Sequence, residues 1–481
     1  MKKLNELFDC NYDVEIKGIK MNSKEIVPGD LFICTMGVKV DRHDYIDDAI
    51  KRGAVALVVS KDIKDVDIPV IKVEDTNKEL PILCAKFYDN PEKEIKLIGI
   101  TGTDGKTSTA TIVQYLIGDD TCGYIGTNGR RCSKFDEEIN NTTPDSDKLF
   151  MYFRDFISAG CDTVAMEASS EAFFRKRLET LTYDIGAITN ITREHLNIHG
   201  SFENYIDCKC QLFRQVKKDG YCILNKDDEF FETVKDACVG KVLTYGVDKD
   251  NDMYIKDYKI TPYKTEITFV YNNKEYNITS PLLGKFNIYN LACALLVAIA
   301  SGKTMEEIIP NIEKIKVSGR LDSIDLGQNF YVMVDYAHTP NGISNLLEFV
   351  HTLDINRSIV VIGSAGERDF LKRPIMGKTV CDNASYAIFT YEDPRSEDPR
   401  DIINMLIKDI KDDHDNFEIV VDRHEAIKKA IDMAKEKDMV LILGKGNETY
   451  QKLKTETIYF NDIEEAKKAL EERLEREEVA V

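Results

Sequence analysis

Six short, mostly apolar runs, each stopping at a Gly-rich or polar cluster, constrain this chain more than any other feature. "EIKLIGI" runs into "TGTDGKTST", "DTVAM" into "EASSEAF", "DIGAIT" into "NITREHLNIHG", "YVMV" into "DYAHTP", "SIVVI" into "GSAGERD" and "MVLIL" into "GKGNE". Helix-like stretches lie between them, which is the pattern of parallel strands in α/β domains. In open parallel sheets, ligands bind beyond the carboxyl ends of the strands. Clusters at six such ends therefore predict sites rather than linkers.

At 481 residues the chain exceeds one ordinary core and predicts about three domains. Breaks at "DNPEKE" (89–94) and "KVSGRLDS" (316–323) place them at 1–93, 94–318 and 319–481. The net charge of -20 disfavours nucleic acid or anionic membrane as partner, because either needs a basic surface to replace counterions. An anionic ligand must then be held by local devices. The twelve cysteines show neither CxxC pairs nor a regular spacing, so reduced thiols and a cytoplasmic setting are expected. The start lacks the apolar segment of a signal peptide. The longest apolar run, "LACALLVAIA" at 291–300, is about half a membrane span and predicts a buried helix, with no membrane insertion. The charged stretch "EEAKKALEERLEREE" predicts a solvated terminal helix.

"GITGTDGKTST" (99–109) poses a spacing question. A standard phosphate loop, G-x-x-x-x-G-K-[ST], needs glycine at the position of Ile100; the chain offers Gly99 and Gly102 instead. By itself the stretch is either a plain strand-to-helix turn or a variant phosphate loop. As a loop, its backbone N–H groups would meet phosphate at a helix N-terminus. Lys106 would reach the terminal phosphates and Thr107 would offer its hydroxyl to Mg²⁺.

Gly102-Thr103-Asp104-Gly105-Lys106-Thr107, followed by Ser108, resembles the GT-x-GKT nucleotide loop of the Mur ligase family, which lacks the standard first glycine. The resemblance runs through all three domains. It is closest to the members that add the third amino acid to the peptidoglycan precursor. It implies an α/β chain with an N-terminal UDP-substrate domain, a central P-loop-type parallel-sheet domain that binds ATP, and a C-terminal Rossmann-like domain for the amino acid. Glu167 and His195 match the family's Mg²⁺ ligands. Lys209, in "YIDCKCQLF", matches a lysine carbamylated by CO₂; as a bare residue it reads as a surface lysine. Phe286, Asn287 and Asn290 match residues around adenine, although composition alone reads a helix start with an amide cap. Arg320 and Asp335 match nucleotide-contacting residues, and His338 belongs to the same string, "DYAHTP".

Ser23 matches the uridine-diphosphate site, Thr142 and Thr143 residues that grip the sugar nucleotide, and Ser170 and Arg177 the pattern after "MEASS". Arg395, Gly444 and Glu448 match the pocket for the incoming amino acid. The implied reaction is ATP-dependent amide ligation through an acyl phosphate, with a UDP-sugar peptide and a free amino acid as substrates. Protein partners are not indicated.

The chain departs from the family pattern at Asn22, Lys24, Glu171, Glu194, Asn341, Glu392-Asp393 and Asn447. These changes gather where the two substrates are chosen. Meso-diaminopimelate carries a second carboxylate that the Arg395 guanidinium suits, whereas lysine would present an ammonium there. Diaminopimelate is therefore expected, with the acidic pair Glu392-Asp393 acting in the opposite sense. The alternatives are a Mur-like paralogue acting on a different carboxylate, a folate polyglutamate ligase and a non-catalytic nucleotide-binding protein.

Overall fold

Strand alternation explains how the first sheet is covered on both faces. The computed structural model describes residues 1–37, 40–261, 264–317 and 321–479. They form two compact units: residues 1–191, 198–245 and 293–308 make the first, and residues 192–197, 246–292 and 309 onward the second. Both are mixed α/β, as the alternation of runs predicts.

In the first unit, β1 (Gly18–Lys20), β2 (Asp30–Ile33), β3 (Ala56–Val59) and β4 (Val70–Lys72) form a parallel sheet in chain order. Leu31 and Ile33 enter one apolar cluster and Phe32 another, the period of two that a pleated strand imposes. A second sheet contains β5 (Lys96–Thr101), β6 (Cys122–Gly126), β7 (Gly129–Cys132), β8 (Phe135–Glu137), β9 (Thr163–Glu167), β10 (Tyr183–Ile188), β11 (Val216–Asn225) and β12 (Lys241–Gly246). Their spatial order is β8-β7-β6-β9-β5-β10-β11-β12. All are parallel except the antiparallel edge of β7 and β8. The chain leaves β5 toward β6 on one side and later reaches β10 on the other. A crevice is expected at the carboxyl end of such a reversal.

In the second unit, β13 (Met253–Ile260), β14 (Thr265–Tyr271) and β15 (Lys274–Ser280) make an antiparallel meander. A further sheet contains β16 (Asp322–Ile324), β17 (Tyr331–Asp335), β18 (Ser358–Ile362), β19 (Tyr386–Phe389), β20 (Phe417–Ile419) and β21 (Met439–Leu443), in the order β16-β17-β21-β18-β19-β20. Only β16 among these is antiparallel. Val360 and Ile362 face one core, Ile359 and Val361 the other. A strand covered on both faces must be apolar throughout, which is why "SIVVI" shows no alternation.

The run 291–300 is helical within Lys285–Ala300, and Leu291 to Ala298 are completely buried, as expected. The terminal helix differs from expectation. It spans Asp462–Val479, but Ala466, Ala469 and Leu470 are buried in the cluster that holds Ile427 and Ile431. Its apolar residues, spaced by three and four, make a narrow stripe that the surrounding charges obscure. The expected boundary at 318/319 and the candidate residue Arg320 lie outside the described residues.

Candidate functional site

The spacing question is settled by what lies beside each glycine. Gly99 is inside β5, where an added Cβ would come within 2.5 Å of the Leu212 side chain. It is a packing glycine. Gly102 has φ +144°, and its Cβ would fall 1.9 Å from Thr189 Oγ1. Gly105, at φ +84°, caps the helix Lys106–Ile117. The loop between them is clamped by the residues that follow β10: Thr103 N donates to Asn190 O at 2.8 Å, Asp104 N to Asn190 Oδ1 at 3.0 Å, and Thr189 Oγ1 to Asp104 O at 2.5 Å. Lys106 Nζ folds back onto the carbonyls of Gly102 (3.0 Å) and Thr103 (2.8 Å). Ser108 is buried in the first helical turn, which contains no acidic residue. The helix thus carries no carboxylate of its own at its positive end.

Glu167 closes β9 and is completely buried. Oε1 accepts from Tyr124 OH and Thr127 N, each at 2.8 Å, and Oε2 from Thr107 Oγ1 at 2.9 Å and Thr127 Oγ1 at 3.3 Å. Burial and the neighbouring carboxylate push the Tyr124 phenol far up, so it remains a neutral donor. A hydroxyl and a carboxylate in contact at the end of a phosphate loop are hard oxygen donors of the kind Mg²⁺ takes, so the residues present fit that ion.

Lys209 overturns the surface reading of a bare lysine. It is 1% exposed on the helix Phe202–Arg214. Its Nζ donates to Gly102 O at 2.5 Å and lies 4.5 Å from the centre of the Tyr205 ring. Tyr205 OH bonds Thr103 Oγ1 at 2.9 Å. Tyr205 and Lys209 are one helical turn apart on one face and both reach the phosphate loop. Tyr205 was not among the residues singled out, although that spacing identifies it once Lys209 is chosen. His195, at φ +55°, groups with the second unit, and Glu194 Oε2 lies 3.6 Å from its Nε2.

The expected sugar-nucleotide residues meet around the end of β9. Thr142 Oγ1 is 3.0 Å from Thr127 Oγ1; Thr143 Oγ1 donates to Glu167 O at 2.7 Å; Arg177 Nη1 donates to Thr143 O at 3.1 Å and its Nε pairs with Asp145 at 2.6 Å. Ser170 Oγ contacts His199 Nε2 at 3.1 Å, a histidine that sequence reasoning passed over for His195. Ser23 lines a cleft of about 450 Å³ together with Lys24, Arg42, Asn140, Asn141 and Lys148. This brings the first sheet's loop and the "NNTTPD" stretch to one space. Lys148 is ion-paired with Glu25 there. Burial first, then Asp145, lifts the carboxyl of Asp147 to about 6.

The second unit holds the remaining candidates, most of them beyond β17, β19 and β21. Asp335 accepts from Leu321 N (2.8 Å) and Ala337 N (2.7 Å), and His338 Nδ1 contacts Tyr336 O at 2.8 Å. Lys445, completely buried, donates to Asp393 Oδ1 and Glu448 Oε2, each at 2.9 Å. Burial opposes the charge of Lys445, but Glu448, Asp393 and Glu392 outweigh it and raise its pKa. Glu448 Oε1 accepts from Tyr336 OH at 3.3 Å. Glu392 is buried with Oε2 unpartnered among the described residues, and burial lifts its carboxyl to about 7. Gly444, at φ +113°, leaves no space for a Cβ, which would lie 2.7 Å from that oxygen. Arg395 sits at φ +54° beside this group, its N–H on Lys452 O at 2.9 Å. Asn287 and Asn290 are buried and joined to each other, Nδ2 of Asn290 to Oδ1 of Asn287 at 3.0 Å, and Asn287 Nδ2 bonds Leu283 O rather than capping by acceptance. Phe286 packs on the core that holds Leu346 and Phe389.

Comparison with known proteins places each part of the chain in one family. Residues 15–88 match the Mur ligase family catalytic domain, residues 100–298 the Mur ligase middle domain, and residues 319–446 the glutamate ligase domain of Mur ligases. The chain is 37% identical to the UDP-N-acetylmuramoyl-L-alanyl-D-glutamate--2,6-diaminopimelate ligase of Bacillus cereus, across 99% of this chain and all of that one. A solved structure of a ligase of the same description superposes with a TM-score of 0.67 at 26% identity, covering 98% of this chain and 99% of the other. The MurF ligase of Thermotoga maritima in complex with ADP shares the fold, with a TM-score of 0.70 at 19% identity over 99% and 100% of the two chains.

Proposed function

Because the chain belongs to the Mur ligase family, we propose that it joins meso-diaminopimelate to UDP-N-acetylmuramoyl-L-alanyl-D-glutamate in peptidoglycan synthesis, using ATP and an acyl-phosphate intermediate. The observation that carries the reading is the convergence of Lys106, Thr107, Glu167 and the buried Lys209 on one phosphate loop. The full-length similarity to a diaminopimelate ligase supports the substrates.

The loop amides and Lys106 bind the γ-phosphate and offset charge as the substrate carboxylate attacks it. Mg²⁺, held by Thr107 and Glu167 with His195 and a carbamylated Lys209 as further ligands, would supply additional charge neutralisation on the phosphates. Ser23, Thr142, Thr143, Ser170 and Arg177 bind the UDP-sugar peptide. Asn287, Asn290, Arg320 and Asp335 serve the nucleotide. Arg395 clamps the distal carboxylate of the amino acid, Gly444 leaves it space and Glu448 faces its ammonium, while the amine displaces phosphate from the acyl phosphate. Residues 1–93, 94–318 and 319–481 are the corresponding substrate, nucleotide and amino-acid domains. Among the described residues no helix is long and apolar enough to cross a membrane. The twelve cysteines are free, which suits a cytoplasmic enzyme.

Phosphate release with radiolabelled amino-acid incorporation tests the proposal. Product that requires ATP, the UDP-sugar dipeptide and diaminopimelate together supports it. Turnover with another carboxylate acceptor, and none with this one, overturns it in favour of a paralogue.

A further inference from the structure

We propose that Arg373 is a positioning residue for amino-acid selection, which acts through Glu397 to hold the loop that presents Arg395. The inference rests on the reading of Arg395 as the carboxylate clamp. Arg373 lies in the first turn of the helix Lys372–Asn383 and is completely buried. Its Nη1 donates to Glu397 Oε2 at 2.7 Å and its Nη2 to Glu397 Oε1 at 3.0 Å, a two-pronged pairing, while Nη2 also reaches the Ala365 carbonyl at 3.0 Å. One guanidinium thus ties the loop after β18 to the loop after β19. The planar fork restrains direction as well as distance, which a lysine cannot do.

Backbone contacts close the same junction. Gly366 N donates to Asp393 O at 2.8 Å, Glu397 N donates to Pro394 O at 3.1 Å, and Glu397 Oε1 also accepts from Glu367 N. A side chain at Gly366 would come within 2.1 Å of Pro394 O, so the two loops approach as closely as backbones can. Between Pro394 and Glu397 stands Arg395, at φ +54°. A non-glycine residue keeps that conformation only when its surroundings over-determine it. Its Nε is buried and has no partner among the described residues. The direction of the clamp is therefore set by its backbone, and the backbone is held by Arg373 and Glu397. The hydrogen bond from Arg373 holds the Glu397 carboxyl below its ordinary range, so Glu397 remains ionised at neutral pH.

Initial rates with ATP, the UDP-sugar dipeptide and either diaminopimelate or lysine test this in wild type, Glu397→Gln, Arg373→Lys and Arg395→Ala, with melting temperatures alongside. Glu397→Gln keeps the shape of the junction and carries the test should Arg373→Lys fail to fold. The expected result is a KM for diaminopimelate raised by about tenfold or more, a reduced preference over lysine, and an unchanged KM for ATP. Combining Glu397→Gln with Arg395→Ala should add nothing to Arg395→Ala alone, since both act through one clamp. An unchanged diaminopimelate KM in Glu397→Gln, while Arg395→Ala loses it, overturns the positioning role and leaves the clamp standing. A rise in every KM together with a lower melting temperature also overturns it and assigns the pair to fold maintenance. If Arg395→Ala itself is unchanged, the clamp reading fails and the inference fails with it.

Discussion

Glu167 and Glu392 are both buried carboxyls at or just beyond the carboxyl ends of parallel strands, yet their surroundings are opposite in kind. Glu167 accepts four hydrogen bonds, from two threonine hydroxyls, a tyrosine and a backbone amide. Every donor is neutral. Glu392 lies among Lys445, Glu448, Arg423 and Asp393 with one oxygen unpartnered, and its carboxyl titrates near 7. Buried polar groups are costly unless satisfied, so the first arrangement is rigid before any ligand arrives, whereas the second leaves capacity that a ligand can fill. Under the proposed function, the first region serves one unvarying chemistry. The second cluster is built from charges, the means by which a site can distinguish an ammonium from a carboxylate.

The sharpest test of the first region is Lys106→Ala. Loss of a charge aimed at the transferred phosphoryl group should lower kcat by roughly 10³-fold, with the fold intact by circular dichroism; ligation at the wild-type rate would remove the site assignment. Next is Lys209→Ala, expected to cost about 10²-fold and to be partly restored by short carboxylates able to occupy the place of a carbamate. Intact mass under bicarbonate should show the added CO₂ on the wild type and not on the variant. An unmodified and dispensable lysine would reduce Lys209 to a support for Gly102 and Tyr205.

In the second region, Arg395→Ala should weaken diaminopimelate by about 10- to 100-fold, the usual cost of losing one charged partner of a carboxylate, and leave ATP binding alone. A wild-type preference for lysine would reverse the assignment and favour the pull of the acidic pair. The last test, Glu392→Gln, is read in stability rather than in activity. In the folded chain this carboxyl holds its proton up to about 7, against 4.5 for an ordinary glutamate. Its contribution to stability is therefore fully present below about pH 4.5 and is lost as pH rises through about 7. The melting temperature of the wild type should fall relative to Glu392→Gln across that window, by an amount equivalent to at most about 3 kcal/mol. Parallel melting curves at every pH would show that Glu392 is already ionised and would erase the contrast with Glu167.

Much of the fold was legible in the sequence because it is written locally. Each of the six apolar runs is a strand, and each ends within one residue of the boundary with its polar cluster. Strand formation and helix capping depend on neighbours within a few residues, and so does the Gly-Lys-Thr sequence that opens a helix. The site was legible in part. Thr107 and Glu167 are 60 residues apart in the chain and meet in one hydrogen bond; the resemblance suggested both, and only the folded chain joins them. His199 and the Arg373–Glu397 pair carried no local signal, and Tyr205 only its spacing from Lys209, since each gains its meaning from a partner on another element.

The amino-acid sequence by itself determined the order of strands and loops and placed a Gly-Lys-Thr stretch at the start of a helix, while the residues proposed to hold phosphate, metal and carboxylate came from the resemblance. Tertiary structure decided which glycine belongs to the phosphate loop, because Leu212 fills the space beside Gly99 while Thr189 closes on Gly102. It also decided that Lys209 is buried, and that Asp393 is balanced by Lys445 while Glu392 holds a proton close to neutrality. Burial and electrostatic balance are sums over groups brought together from distant parts of the chain, and no window of sequence contains those sums.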